Sequence, residues 1–304
     1  MSRRIPFDRL PTVPLAERAV TADGADFAGV HHTGGSLRDF LCSLPALGAA
    51  QDLLRLRDAV NRALRDGRIV LLACGGRLLE RGLSPVVAHA IACKRLRALA
   101  LTGSAMVRDV EVALAGSILG EGRGGGGVGA ESCALIKEAI DWAAAEGIGL
   151  GAAVGRKLID GDAPHRERSI LASAVDAGLP VTVHPAIGAD AYNRFPHLNG
   201  EAFGAAAVHD FRRFADIVAA SAHGVWLNVA SSVVMPRLLL EAMHAARSVG
   251  MAPESVTACV LGGSQFADAG GVVAQAVEGR GRSCTIAGAI ELLFPLLMAA
   301  VGEG

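Results

Sequence analysis

"RIVLLACGG", residues 68–76, is an unbroken apolar run that ends on two glycines. A strand with one wet face alternates apolar and polar residues. This run does not alternate, so it fits a strand buried on both faces, as in a parallel sheet covered by helices. The pattern recurs. "LRALALT" (96–102), "LPVTVH" (179–184), "GVWLNVA" (224–230), "SVTACVL" (255–261) and "SCTIA" (283–287) are further short apolar runs. Helical patterns fill the spaces: 37–68, 77–94, up to about 116, 130–177, 206–221, 236–249 and the stretch after 287. Strands alternating with helices predict an α/β fold, a mostly parallel Rossmann-like sheet with helices on both faces.

Small residues follow each run. They are Gly75 and Gly76, then Thr102, Gly103 and Ser104, then Gly188 and Asp190. After the fourth run come Ser231 and Ser232, after the fifth Gly262, Gly263 and Ser264, and after the sixth Gly288. Ligands of open α/β sheets bind beyond the carboxyl ends of the strands. Small residues there let backbone N–H groups reach a phosphate, and the next helix N-terminus favours its charge. Glycine also suits any tight turn, which is the plainer reading of each tip alone. "GRGGGGVG" (122–129) has glycines at dinucleotide-like spacing but follows a helical stretch, so it reads as a flexible loop or lid.

The bulk properties set bounds. The chain has 304 residues, formal net charge −1, 51% hydrophobic and 4% aromatic residues. An aliphatic core in a near-neutral chain gives no reason to expect nucleic acid or an anionic membrane. The six cysteines form no C-x-x-C pair and read as reduced thiols of a cytoplasmic protein. No apolar run of membrane-spanning length occurs; "AIELLFPLLMAAV" (289–301) is short and holds Glu291. Residues 1–35 read as an irregular arm that packs on a neighbouring subunit, and 36–304 as a single domain. His31 and His32 lack a third ligand at metal spacing, so no metal is expected.

Six segments, in order, resemble the deoxyhypusine synthase family and its bacterial deoxyhypusine synthase-like members. They are "GGRLLERGLSPVV" (75–87), "ALALTGSAMVRDVEVAL" (98–114), "GLPVTVHPAIGAD" (178–190), "HDFRRFADIVA" (209–219), "GVWLNVASSVVMPRLLLEAM" (224–243) and "AGAIELLFPLLMAA" (287–300). The resemblance implies an NAD-binding Rossmann-like fold in a homotetramer with sites shared between subunits. It implies oxidation of spermidine by NAD and transfer of an aminobutyl group through an imine on an enzyme lysine. By position, Asp190 matches the aspartate that holds a cofactor ribose. Gly76, Thr102 and Gly103 match cofactor contacts. Ala230, Ser231 and Ser232 replace a glycine triplet, and Ala287 and Gly288 replace an Ala-Asp pair near the adenosine. Asp109 is the surviving charge of an acidic run after the second strand, and Gly263 and Ser264 complete the expected cofactor floor.

The departures weaken the reaction. The resemblance places the transfer lysine in "VAQAVEGRGRSC" (273–284), which has none; the lysines are Lys94, Lys137 and Lys157. Arg280 and Arg282 stay protonated and offer no free amine for an imine. Met235, Pro236 and Arg237 replace the family's Lys-His-His. Hypusination itself is therefore not expected. The expectation is an amine- or polyamine-transforming enzyme using NAD, by aminoalkyl transfer or oxidation to an imine; alternatives are an inactive oligomeric NAD-binding protein or a relative that binds another ligand. Candidate catalytic residues are His184 as a general base, Asp268 as a grip for a substrate ammonium, and Glu291 at the start of the last helix. Each has a plainer reading: a buried histidine, a helix cap and a first-turn acid. "AVHDFRRF" (207–214) reads as a solvated helix face.

Overall fold

The computed structural model describes residues 6–120 and 129–302. Most of the glycine run expected to be a loop or lid lies outside the described residues. The chain divides into two compact units, 1–51 and 52–304, a division later than the expected arm boundary at 35. In the first unit, short 3-10 turns at Phe7–Arg9, Leu15–Glu17 and Gly24–Asp26 precede helix α1, Leu37–Ser43. Ser36 and Asp39 cap α1 reciprocally, at 2.9 and 3.1 Å. Phe7, Leu15, Val20 and Val30 of this unit are exposed.

The remaining elements are α2 (Gly48–Arg65), β1 (Val70–Cys74), α3 (Gly76–Glu80), α4 (Ser84–Ala92), β2 (Ala98–Thr102), α5 (Gly103–Ala115), α6 (Ala130–Glu146), α7 (Leu150–Asp160), α8 (Ile170–Asp176), β3 (Val181–His184), α9 (Gly200–Ala219), β4 (Val225–Val229), α10 (Val234–Ser248), β5 (Val256–Gly262), α11 (Ala267–Val277), β6 (Gly281–Ala287) and α12 (Ile290–Ala300). Three expected helices are subdivided. Leu44, ahead of Pro45, is extended and separates α1 from α2. Gly82, in the left-handed region, and Pro85, in the first turn of α4, part α3 from α4. Gly147, also left-handed, ends α6.

All six strands are parallel, in the order β3-β2-β1-β4-β5-β6. Every residue of β1, β2, β3 and β4 is buried, as uninterrupted apolar runs require. β6 is different: it is an edge strand, and Arg282, Ser283 and Thr285 are exposed. The order reverses between β1 and β4. Right-handed crossovers therefore put the helices that join β1, β2 and β3 on one face, and those that join β4, β5 and β6 on the other. This is a Rossmann-like α/β fold, and its crevice opens where β1 and β4 diverge. Among the described residues no helix is long and apolar enough to cross a membrane.

Candidate functional site

The strand tips meet at the carboxyl end of the sheet. β1 and β4 touch there. A Cβ on Gly75 would lie 2.1 Å from the Ala230 carbonyl oxygen, so this glycine is needed for the two tips to approach. Ala230 itself has φ +59°, where a side chain is strained and glycine is not. Ser231 accepts the Met235 N–H at 3.2 Å, at the start of α10, and its carbonyl accepts from Asn228 Nδ2 at 2.7 Å. Ser232 is exposed. Ala230 N–H donates to Leu261 O, and Gly288 N–H to Gly262 O, so the tips of β4, β5 and β6 are tied in sequence.

On the other side of the switch point, Thr102 caps α5. Its Oγ1 accepts the Ala105 N–H at 3.2 Å and lies 2.9 Å from Ser104 Oγ. Gly76 of β1's tip faces Ser104; a Cβ there would come to 3.3 Å of it. Gly103 does not face open space. A Cβ on it would meet Tyr192 Cε1 at 2.4 Å and Asp190 Oδ2 at 2.6 Å. The loop after β3 folds over β2's tip and fills the space that glycine leaves. Within that loop Asp190 Oδ2 accepts the Ala186 N–H at 2.8 Å, and Asn193 Nδ2 donates to Asp190 O at 2.7 Å. Tyr192 is buried against Phe203 and Phe195; burial, with the Asp190 carboxylate beside it, keeps its hydroxyl protonated.

The structure thus gathers Gly76, Thr102, Gly103, Asp190, Ala230, Ser231, Ser232, Gly263, Ser264, Ala287 and Gly288 at one end of the sheet. Asp109 does not belong with them. It lies in the middle of α5, fully buried, where it accepts from Ser169 Oγ at 2.5 Å, Ile170 N at 2.8 Å and Leu171 N at 3.0 Å. It caps α8 from a distance and has no face left for a cofactor. Burial pushes it up to about 6 despite these donors.

His184 is corrected as well. It closes β3, but its ring is buried, stands edge-on to Phe214 at 5.1 Å, and places Nε2 2.8 Å from Thr182 Oγ1. Thr182 and His184 share a face because strand side chains repeat every second residue. Burial lowers the imidazole to about 3, so it is neutral and a poor base at neutral pH. Asp268 is exposed in the first turn of α11 and caps no backbone N–H among the described residues. Glu291, in the first turn of α12, stands 3.8 Å from Arg81 Nη1.

Asp210 falls in the stretch expected to be a solvated helix face, yet it is 1% exposed. Its Oδ2 accepts from Gly151 N at 2.9 Å and Val183 N at 2.8 Å. It therefore caps α7 and satisfies an N–H of the edge strand β3. Burial pushes it up to about 7. The signal was present: Phe203, Ala206, Asp210, Phe214 and Ile217 form one buried helical stripe, with a single acid in it. Asn228 was also missed. It is fully buried in β4, and its Oδ1 has no partner among the described residues.

The segment expected to hold the transfer lysine is misplaced for that role. It runs from α11 into the start of β6, and a parallel strand starts at the end opposite its tip. Arg280 and Arg282 there line a cleft of about 990 Å³ with Arg62, Arg68 and His223, away from the crevice. Lys94 precedes β2 and lies at that same far end, while Lys137 and Lys157 sit within α6 and α7.

No family model matches the chain, and no curated protein matches it significantly. Solved structures share its fold. A deoxyhypusine synthase candidate from Entamoeba histolytica superposes with TM-score 0.55 and 13% identity, over 89% of this chain and 94% of its own. A conserved LOR/SDH candidate from Methanococcus maripaludis S2 gives TM-score 0.54 and 11% identity over 97% and 76%. AgrE, in its ternary complex with ornithine and NAD+, gives TM-score 0.54 and 16% identity over 84% and 33%. The chain spans about a third of the length of AgrE, and 32% of ArgZ, a cyanobacterial arginine dihydrolase. At these identities the likeness is one of fold.

Proposed function

We propose that this protein binds NAD across the carboxyl ends of its strands and transforms a small amine or polyamine there, by aminoalkyl transfer or by oxidation to an imine. The observation that carries the reading is the reversal of strand order at β1 and β4, floored by small-residue tips. AgrE, which holds NAD+ and ornithine, shares the fold.

The residues fit such a cofactor in part. Asp190 uses Oδ2 on its own loop, which leaves Oδ1 to accept from a ribose hydroxyl. The Thr102 and Ser104 hydroxyls lie side by side at β2's tip, and Asn228 Oδ1 is a buried acceptor without a donor among the described residues. Gly263 and Gly288 are crowded by the flexible side chains of Gln265 and Leu293, which can move aside. Bound NAD would supply a hydride acceptor for the carbon next to the amine nitrogen. Asp268, exposed beyond β5's tip, would attract the substrate ammonium, and Glu291 would do so after parting from Arg81. With His184 enclosed, proton removal falls to one of these carboxylates or to water. With no lysine in any tip segment, the acceptor amine would capture the imine directly, without a relay.

The test is to denature purified protein and analyse the released small molecules for NAD, then to titrate added NAD. If no NAD is released and none binds, the reading is refuted. Protein holding NAD should produce reduced nicotinamide absorbance, or a new polyamine, on incubation with spermidine or putrescine. Asp190→Asn keeps an acceptor for Ala186 N–H but loses the charge, so it should weaken NAD binding without unfolding the loop; unchanged affinity would remove Asp190 from the site. A second reading is a binding protein without catalysis, in a homotetramer or smaller assembly. The absent lysine and the enclosed His184 favour it, and bound NAD with no turnover of any amine would establish it.

A further inference from the structure

We propose that Cys259 and Cys284 form a redox-active thiol pair, with Cys284 the attacking sulfur and Cys259 the resolving one. In the pairing of β5 with β6, Cys259 stands directly opposite Cys284. Neighbouring parallel strands lie about 4.8 Å apart, and opposed residues point to the same face. That spacing falls inside the Cα window of about 4.4–6.8 Å that a disulfide requires. The two thiols are close enough for each to shift the other's titration. β6 is an edge strand whose Arg282, Ser283 and Thr285 are exposed, so it can shift the small distance that bond closure needs.

Environment divides the roles. Cys259 is fully buried and Cys284 partly exposed. The neighbouring Cys259 thiol favours the Cys284 thiolate and lowers its titration, whereas Cys284 and burial raise Cys259. A thiolate that solvent can reach is the one that reacts. With a low-molecular-weight disulfide as oxidant, the Cys284 thiolate attacks one sulfur and expels the first small thiolate. This leaves a mixed disulfide on Cys284. Cys259 then loses its proton, attacks Cys284 Sγ and expels the second small thiolate. Two cysteine thiols and one small disulfide become one protein disulfide and two small thiols. The bond would tie β6 to β5 just below the tips at Gly263 and Gly288. None of this depends on the proposed cofactor.

The other cysteines have no such partner. Cys42 and Cys93 are exposed, Cys74 is buried in β1, and Cys133 is in α6. The experiment uses the full chain with Cys42→Ser and Cys93→Ser to silence the exposed thiols. The protein is equilibrated in graded ratios of oxidised to reduced glutathione, quenched in acid, alkylated in denaturant and mapped by peptide mass. Cys259 and Cys284 should lose alkylation together, as one cross-linked peptide pair, and recover it with dithiothreitol. Cys259→Ser should trap one glutathione on Cys284. Cys284→Ser should leave Cys259 alkylated at every ratio. Should Cys259→Ser fail to fold, Cys259→Ala is the replacement, and the cross-link in the parent protein stands as an independent readout. A lasting glutathione adduct on Cys284 while Cys259 is intact would overturn the proposal. So would full alkylation of both thiols at the most oxidising ratio.

Discussion

Asp210 joins three elements through one carboxylate, and the cost of removing it can be worked out. Asp210→Ala leaves the N–H groups of Gly151 and Val183 buried with no acceptor. Each orphaned buried donor costs about 1–3 kcal/mol, so the expected loss for the two is about 2–6 kcal/mol. Water cannot readily repair this, because the site is 1% exposed. Gly149 supplies a second handle. It is the N-cap of α7, with an extended backbone that alanine adopts freely. A Cβ there would lie 1.8 Å from Asp210 Oδ1. Gly149→Ala must therefore push the carboxylate off its donors and should cost nearly as much. Once Asp210 is alanine the clash is gone. The double variant should be about as stable as Asp210→Ala alone, a coupling equal in size to the Gly149→Ala loss, of the kind contacting residues show. Guanidinium denaturation followed by circular dichroism, with slopes compared for two-state behaviour, measures all four corners. Additive losses, or a loss under about 1 kcal/mol for Asp210→Ala, would refute the capping role.

Other expectations rest on separate observations. Ala230→Gly relieves a left-handed φ of +59° and should stabilise by about 1 kcal/mol, measured as a raised denaturation midpoint; a lowered midpoint would count against the strain. Gly103→Ala forces the Tyr192 ring and the Asp190 carboxylate away from β2's tip, and should destabilise the fold and loosen the 185–195 loop to proteolysis; an unchanged cleavage pattern would contradict that packing. Stability should fall as pH rises from about 4 to about 7. Asp109 and Asp210, raised to about 6 and about 7, contribute stability that is whole below their ordinary 3.8 and is lost as pH climbs through those values. His184, lowered to about 3, acts oppositely, its contribution being lost as pH falls from 6.5. Two protons outweigh one, so a midpoint higher at pH 7.5 than at pH 5 would invert the assignment; Asp210→Asn should flatten the slope.

The strands were legible because they are buried on both faces. β1 is apolar from end to end, and β2, β4 and β5 are broken only by Thr102, Asn228 and Thr257; runs of this kind fit a covered parallel sheet. Helix breaks were less legible. Continuous apolar periodicity hid the turns at Arg81–Leu83 and after Gly147, which glycine and proline set locally. The buried carboxylates were the hardest. Asp109 and Asp210 each serve a helix far away in sequence, α8 and α7, so no local spacing reports their partners. A lone acid on an apolar helical stripe is the cue, and at Asp210 it was passed over as solvated surface.

The tips teach the same lesson for function. A glycine after a strand tells that something comes close, not what. At Gly75 the visitor is the Ala230 carbonyl, and at Gly103 it is the protein's own Tyr192 and Asp190. Those two glycines serve the fold. Gly263 and Gly288 meet only flexible side chains, so they are where a ligand can approach, whereas Gly76 is buried and a Cβ on it would come to 3.3 Å of the Ser104 backbone. A cofactor in this crevice would therefore lie toward β1, β4, β5 and β6. It would reach β2 and β3 through Asp190 Oδ1 and the Thr102 and Ser104 hydroxyls, rather than through the Gly103 backbone. Gly288→Ala should then weaken NAD binding while sparing stability, because only the Leu293 side chain must yield, whereas Gly103→Ala should harm stability first. Isothermal titration with NAD, beside a thermal melt, separates the two, and the opposite ordering would move the crevice to the β2–β3 side.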